Sequence, residues 1–330
     1  MRGNSHVRFL GDRVGVILPG YPTGHRSKFR DRNRGTRWCR CRHAGRSRAE
    51  PMTRPLLKFF SLTYAATWIC WTASRAISRG GAAADPALAV LAGAVFLLGV
   101  FAPALVALAL TERAEGRAAT QALLRQVFKW RVGARWYVFA VGYIPAVKLS
   151  VAVVHRVVTG AWPRFGQEAW YLMAAAIVFS TWVQAGEEIG WRGYALPRLS
   201  DRFGLAPASV ILGIIWASWH LPLFFFPESD IVGQSFPLYL LQATALSVAL
   251  AWLYWRTQGS LLLVMLLHAA VNNTKDIVPS AVPGATNPFA LSTSLVAWLT
   301  VAFLWIGAGY FLVRMPKGGT AARLRDEVGY

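Results

Sequence analysis

The residues able to do chemistry in this chain are few, and they sit where side chains are otherwise apolar. Two carboxylates and an arginine fall in Gly186-Glu187-Glu188-Ile189-Gly190-Trp191-Arg192, followed by His220, by His268 and by Asn272. On insertion scales a charge at a bilayer centre costs about 2.5–3.5 kcal/mol, so such residues are rare there without a partner or a task. On a helix Glu188 and Arg192 stand at i and i+4 in the acid-first order, which lets them pair on one face. Glu187 projects about 100° away and turns to another partner. One carboxylate is thus fixed by Arg192 while the other is left to exchange a proton with water. A Glu–Arg pair that only pins two helices, with Glu187 at the headgroups, fits the same residues.

His220 lies in Trp216-Ala217-Ser218-Trp219-His220-Leu221-Pro222, and Pro222 disfavours helical geometry at Leu221. A helix break beside His220 would aim the imidazole into a bundle. An interfacial histidine beside an aromatic belt is the plainer reading. His268 and Asn272 share a helix face as an i, i+4 pair and offer two donors toward one point, as a developing oxyanion requires. Hydrogen-bond glue between helices fits that pair equally. What distinguishes these residues is their conjunction in three consecutive elements, while most other spans are nearly free of ionisable groups. Lys148 is the main exception and reads as a snorkelling or packing residue.

The elements that position them are membrane helices. The 330 residues are 55% hydrophobic and 15% charged, too apolar for an ordinary soluble domain. Eight runs are long enough for a hydrocarbon core of about 30 Å: about 56–74, 87–110, 136–155, 168–184, 206–226, 236–255, 259–274 and 291–313. A lipid-exposed chain must satisfy its own backbone, so every run is read as helical. The expectation is an all-α polytopic bundle with about eight transmembrane helices. It divides into N-terminal helices over 52–165, a catalytic core over 166–314 and a basic tail over 315–330.

The net charge of +20 is concentrated rather than spread. Thirteen Lys or Arg and three acids fall in residues 1–51, a Gly-rich polar extension with the composition of a disordered tail. Met52 reads as the true initiator behind a mis-called upstream start; an Arg-rich presequence or a nucleic-acid-binding arm are the alternatives. Cys39, Cys41 and His43 lack the spacing and the second pair of a zinc site, and no nucleic-acid partner is expected. With the basic connection 111–135 in the cytoplasm, sixteen Lys or Arg fall on that face and five on the other. The bias predicts a multi-pass membrane protein with both termini cytoplasmic and a site mouth on the cytoplasmic side, and the Ala/Arg/Gly-rich composition points to a bacterial cell membrane.

Absences narrow the chemistry. The sequence holds no His-Glu-x-x-His, no Gly-x-Ser-x-Gly elbow, no paired aspartates within spans and no phosphate-cradling glycine loop. What remains is a Glu/His acid–base set with water as the nucleophile. Glu187-Glu188-x-x-x-Arg192, an aromatic four residues before His220, and His268-x-x-x-Asn272 together resemble the three-motif signature of the CAAX-protease and bacteriocin-processing family of intramembrane endopeptidases. The resemblance covers about 180–275. Trp216 departs from the family's usual Phe at a position that reads as packing.

The resemblance implies hydrolysis of a peptide bond in a membrane-associated protein or peptide. Glu187 with His220 would activate water, His268 and Asn272 would hold the oxyanion, and Glu188 with Arg192 would support the first motif. It leaves the cofactor open, as none or a divalent metal such as zinc. Glu187, His220 and His268 would be the ligands in the second case, with an open water position. The expected partners are the lipid bilayer and a protein or peptide substrate, prenylated at a C-terminal CAAX motif in eukaryotic relatives. A non-proteolytic scaffold, a pseudo-enzyme or a transporter are the competing readings, since Glu, His and Asn also line ion pathways. A transporter would show related halves with interrupted helices, whereas these residues have no counterpart in the first half.

Overall fold

The computed structural model describes residues 53–82, 85–227, 229–282 and 287–316. The expected extension 1–51, its Cys39, Cys41 and His43, Met52, and the tail from 317 lie outside the described residues. Within them the chain is all-α, without a strand. The helices are α1 (Thr53–Ile77), α2 (Pro86–Glu115), α3 (Arg117–Val127), α4 (Ala134–Thr159), α5 (Trp170–Val183), α6 (Ala185–Glu188), α7 (Leu196–Phe203), α8 (Leu205–Trp219), α9 (Phe236–Arg256), α10 (Leu261–Thr274) and α11 (Leu295–Arg314).

Helix starts follow local chemistry. Asp85 accepts a hydrogen bond from the Ala87 amide and Pro86 opens α2, so a donor that no turn could satisfy is either bonded or absent. Ser260 and Ser294 cap α10 and α11 in the same way, accepting from Leu263 and Ala297.

Five helices are long and apolar enough to cross a bilayer: α2, α4, the run Leu205–Phe225, α9 and α11. The other three expected spans fall short of that test for identifiable reasons. Helix α1 has the length, but its Trp, Tyr, Thr and Ser residues keep its hydropathy low. Helix α10 has 14 residues, as does α5.

The expected fourth span does not end before the first motif. Gln184, Glu188, Ile189, Ala195 and Leu196 all keep right-handed helical backbone, so one helical run continues over 170–203 with a π-helical stretch, Ile189–Ala195, inside it. Such π turns commonly mark functional sites. Glycines let this run approach α2: a Cβ on Gly190 would stand 2.6 Å from the Pro103 carbonyl oxygen, and one on Gly186 3.0 Å from that of Val100. The motif's small residues thus face α2, and its charged residues are left to turn into the bundle.

Candidate active site

Glu187, Glu188 and Arg192 are buried, at 6%, 0% and 0% exposure, and each has a defined partner. Arg192 donates from Nη1 to Glu188 Oε1 over 2.9 Å, the i, i+4 pair that the spacing predicts. The same oxygen is bonded to His268 Nδ1 at 2.7 Å, which joins α6 to α10. Glu188 therefore bridges the first motif to the third, and His268 presents its other ring nitrogen, Nε2, for further use. If Glu188 holds the Nδ1 proton, His268 donates from Nε2 only as imidazolium and accepts there when neutral.

Glu187 turns the other way, toward α8. Its Oε2 accepts the indole N–H of Trp216 at 2.8 Å, in a buried contact. Trp216 is the hub of the site. The Arg192 guanidinium carbon lies 4.5 Å from the centre of its ring, and the rings of His220 and His268 meet it edge-on at 5.6 and 5.2 Å. A residue that reads as packing alone thus touches a member of every motif. The signal for this was present in the departure from Phe, because tryptophan adds a ring N–H that phenylalanine lacks.

His220 ends α8, and the short turn Leu221–Phe225 follows as Pro222 requires. Its Nδ1 is 2.9 Å from the Trp216 carbonyl, an acceptor, so Nδ1 carries the proton and Nε2 of the neutral ring keeps a lone pair. Asn272 is exposed, and its neighbour Asn273 bonds instead to Ser180 Oγ and the Ala269 carbonyl, both at 2.7 Å. Asn273 thus fastens α10 to α5 and leaves Asn272 to the open side.

A cavity of about 310 Å³ gathers Glu187, Trp216, His220, His268 and Asn272 on its wall, and Tyr239 faces them from α9. Helices α1, α8 and α10 line it with their C-terminal halves, and α2, α9 and α11 with their N-terminal halves. Asp230, Gln234, Lys275 and Asp276, from the connections beyond those ends, line it too, and no residue of 111–135 does. The mouth expected beside the basic connection is therefore corrected: the cavity lies toward the other end of the bundle. The expectation failed because the charge count orients helix ends, whereas the position of the cavity depends on which ends splay.

The conditional metal set of Glu187, His220 and His268 does not assemble as a ligand cluster. Among the described residues no three His, Cys, Asp or Glu side chains are grouped to hold an ion. The bonds to Glu188, to Trp216 and to the Trp216 carbonyl leave His268 Nε2, Glu187 Oε1 and His220 Nε2 uncommitted, so it is the spacing of the three side chains, not those bonds, that keeps them from forming a ligand set. The residues as arranged do not fit a three-ligand site.

Residues 167–274 match the family described as Type II CAAX prenyl endopeptidase Rce1-like. Over 98 residues the chain is 32% identical to CAAX prenyl protease 2 of Methanococcus maripaludis, a stretch covering 28% of this chain and 36% of that protein. The chain thus spans about a third of the length of the curated relative it matches, and the family match over residues 167–274 contains all three motifs.

Proposed function

We propose that this chain, whose residues 167–274 match the Rce1-like CAAX prenyl endopeptidase family, hydrolyses a peptide bond of a membrane-associated protein or peptide within its own helix bundle. The observation that carries the reading is the meeting of Glu187, His220 and His268 on one cavity wall, each with one polar atom anchored. Anchoring fixes the remaining atoms. Glu187 Oε1 and His220 Nε2 hold a water between them, and Glu187 takes its proton as the oxygen attacks the carbonyl carbon. His268, as the imidazolium paired with Glu188, and Asn272 donate to the oxygen that becomes negative, and the cavity's apolar walls strengthen those contacts. The protonated Glu187 then returns the proton to the departing amine.

Glu188 and Arg192 take no part in the proton transfers. They hold α6 against α10 and so set the distance between Glu187 and His268. The substrate class follows the relatives' name, a prenylated protein cleaved at its C-terminal motif, with the lipid tail in the bilayer and the peptide in the cavity. The test is terminal proteomics on membranes of cells producing wild type beside Glu187→Gln at matched levels. New peptide termini seen only with wild type support hydrolysis and identify the substrates. Identical terminus profiles from two folded proteins would favour a scaffold, and Glu187-dependent proton-coupled uptake without cleavage a transporter.

A further inference from the structure

Lys148 stands within α4, one of the five long apolar helices, yet it is 4% exposed and does not snorkel. Its Nζ points inward and donates to the Val278 carbonyl at 3.1 Å and to Ser280 Oγ at 2.9 Å, with a looser approach of 3.5 Å to Thr300 Oγ1. Among the described residues no carboxylate pairs with it. Of the acids on the same cavity wall, Asp230 is bonded to Lys275 at 2.5 Å, Glu187 is bonded to Trp216, and Asp276 is exposed. A buried ammonium that no carboxylate pairs with directly, the exposed Asp276 reaching it only through space, is costly, and an apolar side chain of similar length would pack there without that cost.

The donors around it are only partly used. Ser280 Oγ accepts from Lys148, which leaves its hydroxyl proton to donate, whereas the Thr300 hydroxyl is committed to the Val296 carbonyl at 2.7 Å. Lys148, Ser280 and Thr300 all line the cavity that holds Glu187 and the two histidines. An ammonium whose third contact is long, beside a hydroxyl with a free proton, matches the two oxygens of a carboxylate.

We propose that Lys148 and Ser280 form a carboxylate-binding subsite that receives the free C-terminal carboxylate of the substrate. This rests on the peptidase reading above and deepens it. The subsite confines cleavage to bonds near a chain's end, because the terminus is held in the same cavity as the water held by Glu187.

The probes are one farnesylated peptide ending in a Cys-aliphatic-aliphatic-X tetrad, made as free acid and as C-terminal amide. The full chain is held in nanodiscs of zwitterionic lipid. Binding is measured on Glu187→Gln, in which the peptidase reading expects no turnover, and kcat/KM on the otherwise wild-type chain. The free acid should bind and react about 10- to 100-fold better than the amide, the worth of one or two charge-assisted hydrogen bonds. In Lys148→Met the acid-to-amide ratio should collapse toward one, and in Ser280→Ala it should fall several-fold with the helices undisturbed. Should Lys148→Met fail to fold, Ser280→Ala carries the test alone. Equal handling of the two peptides by the wild-type subsite, or a ratio unchanged in the variants, would overturn the subsite while leaving hydrolysis intact. A Lys148-dependent binding preference without turnover would uphold the subsite and overturn the peptidase.

Discussion

Replacing Trp216 by Phe separates the ring N–H from the ring itself. Phe keeps an aromatic face under Arg192 and edges toward His220 and His268, but it removes the donor that reaches Glu187 Oε2 over 2.8 Å. Hydrogen bonds to charged groups are worth about 1.5–3 kcal/mol, and both partners here are nearly excluded from solvent, at 4% and 6% exposure. If that bond holds Glu187 where it must take a proton from water, its loss appears in the barrier. At about 1.4 kcal/mol per decade, kcat should fall about 10- to 100-fold with KM changed little. The assay is single-turnover cleavage of a fluorogenic farnesylated peptide by nanodisc-held protein, with thermal unfolding measured on the same preparations. A Trp216→Phe enzyme with wild-type kcat would refute the reasoning. So would a loss in KM alone, since it would make the indole a binding group rather than a positioning one.

Three further outcomes follow from the same geometry. Arg192→Met should lower stability by about 3–5 kcal/mol, because Glu188 would stay buried with one cationic partner lost, and thermal unfolding in nanodiscs reads it. Gly190→Ala should destabilise by about 1–3 kcal/mol and reduce turnover, since its Cβ would stand 2.6 Å from Pro103 Cβ and push α2 off the motif. Exhaustive chelation should leave cleavage unchanged, given that Glu187, His220 and His268 are not grouped as ligands; a loss that zinc reverses would contradict this.

The parts of the site that depend on one helix were legible in the residues. The i, i+4 spacing puts Glu188 on Arg192, Pro222 ends the helix at His220, and the apolar runs mark the helical elements. Relations between helices were not legible. Periodicity tells which face a side chain occupies but not what stands opposite. The tie from His268 to Glu188, the Trp216 donor and the inward turn of Lys148 therefore came only with the fold. The full length of the helical run over 170–203 was not legible, because two glycines, two glutamates and an arginine end the apolar stretch at about 184. Their glycines instead serve close packing against α2.

The central claim is that Glu187 makes water attack a peptide bond, and one measurement addresses it most directly. Purified full-length protein in nanodiscs is incubated with the farnesylated free-acid peptide in water enriched in oxygen-18, and the products are weighed by mass spectrometry. The account predicts one new carboxylate carrying a single heavy oxygen in wild type, and no product from a folded Glu187→Gln protein. Equal product from both proteins would contradict it.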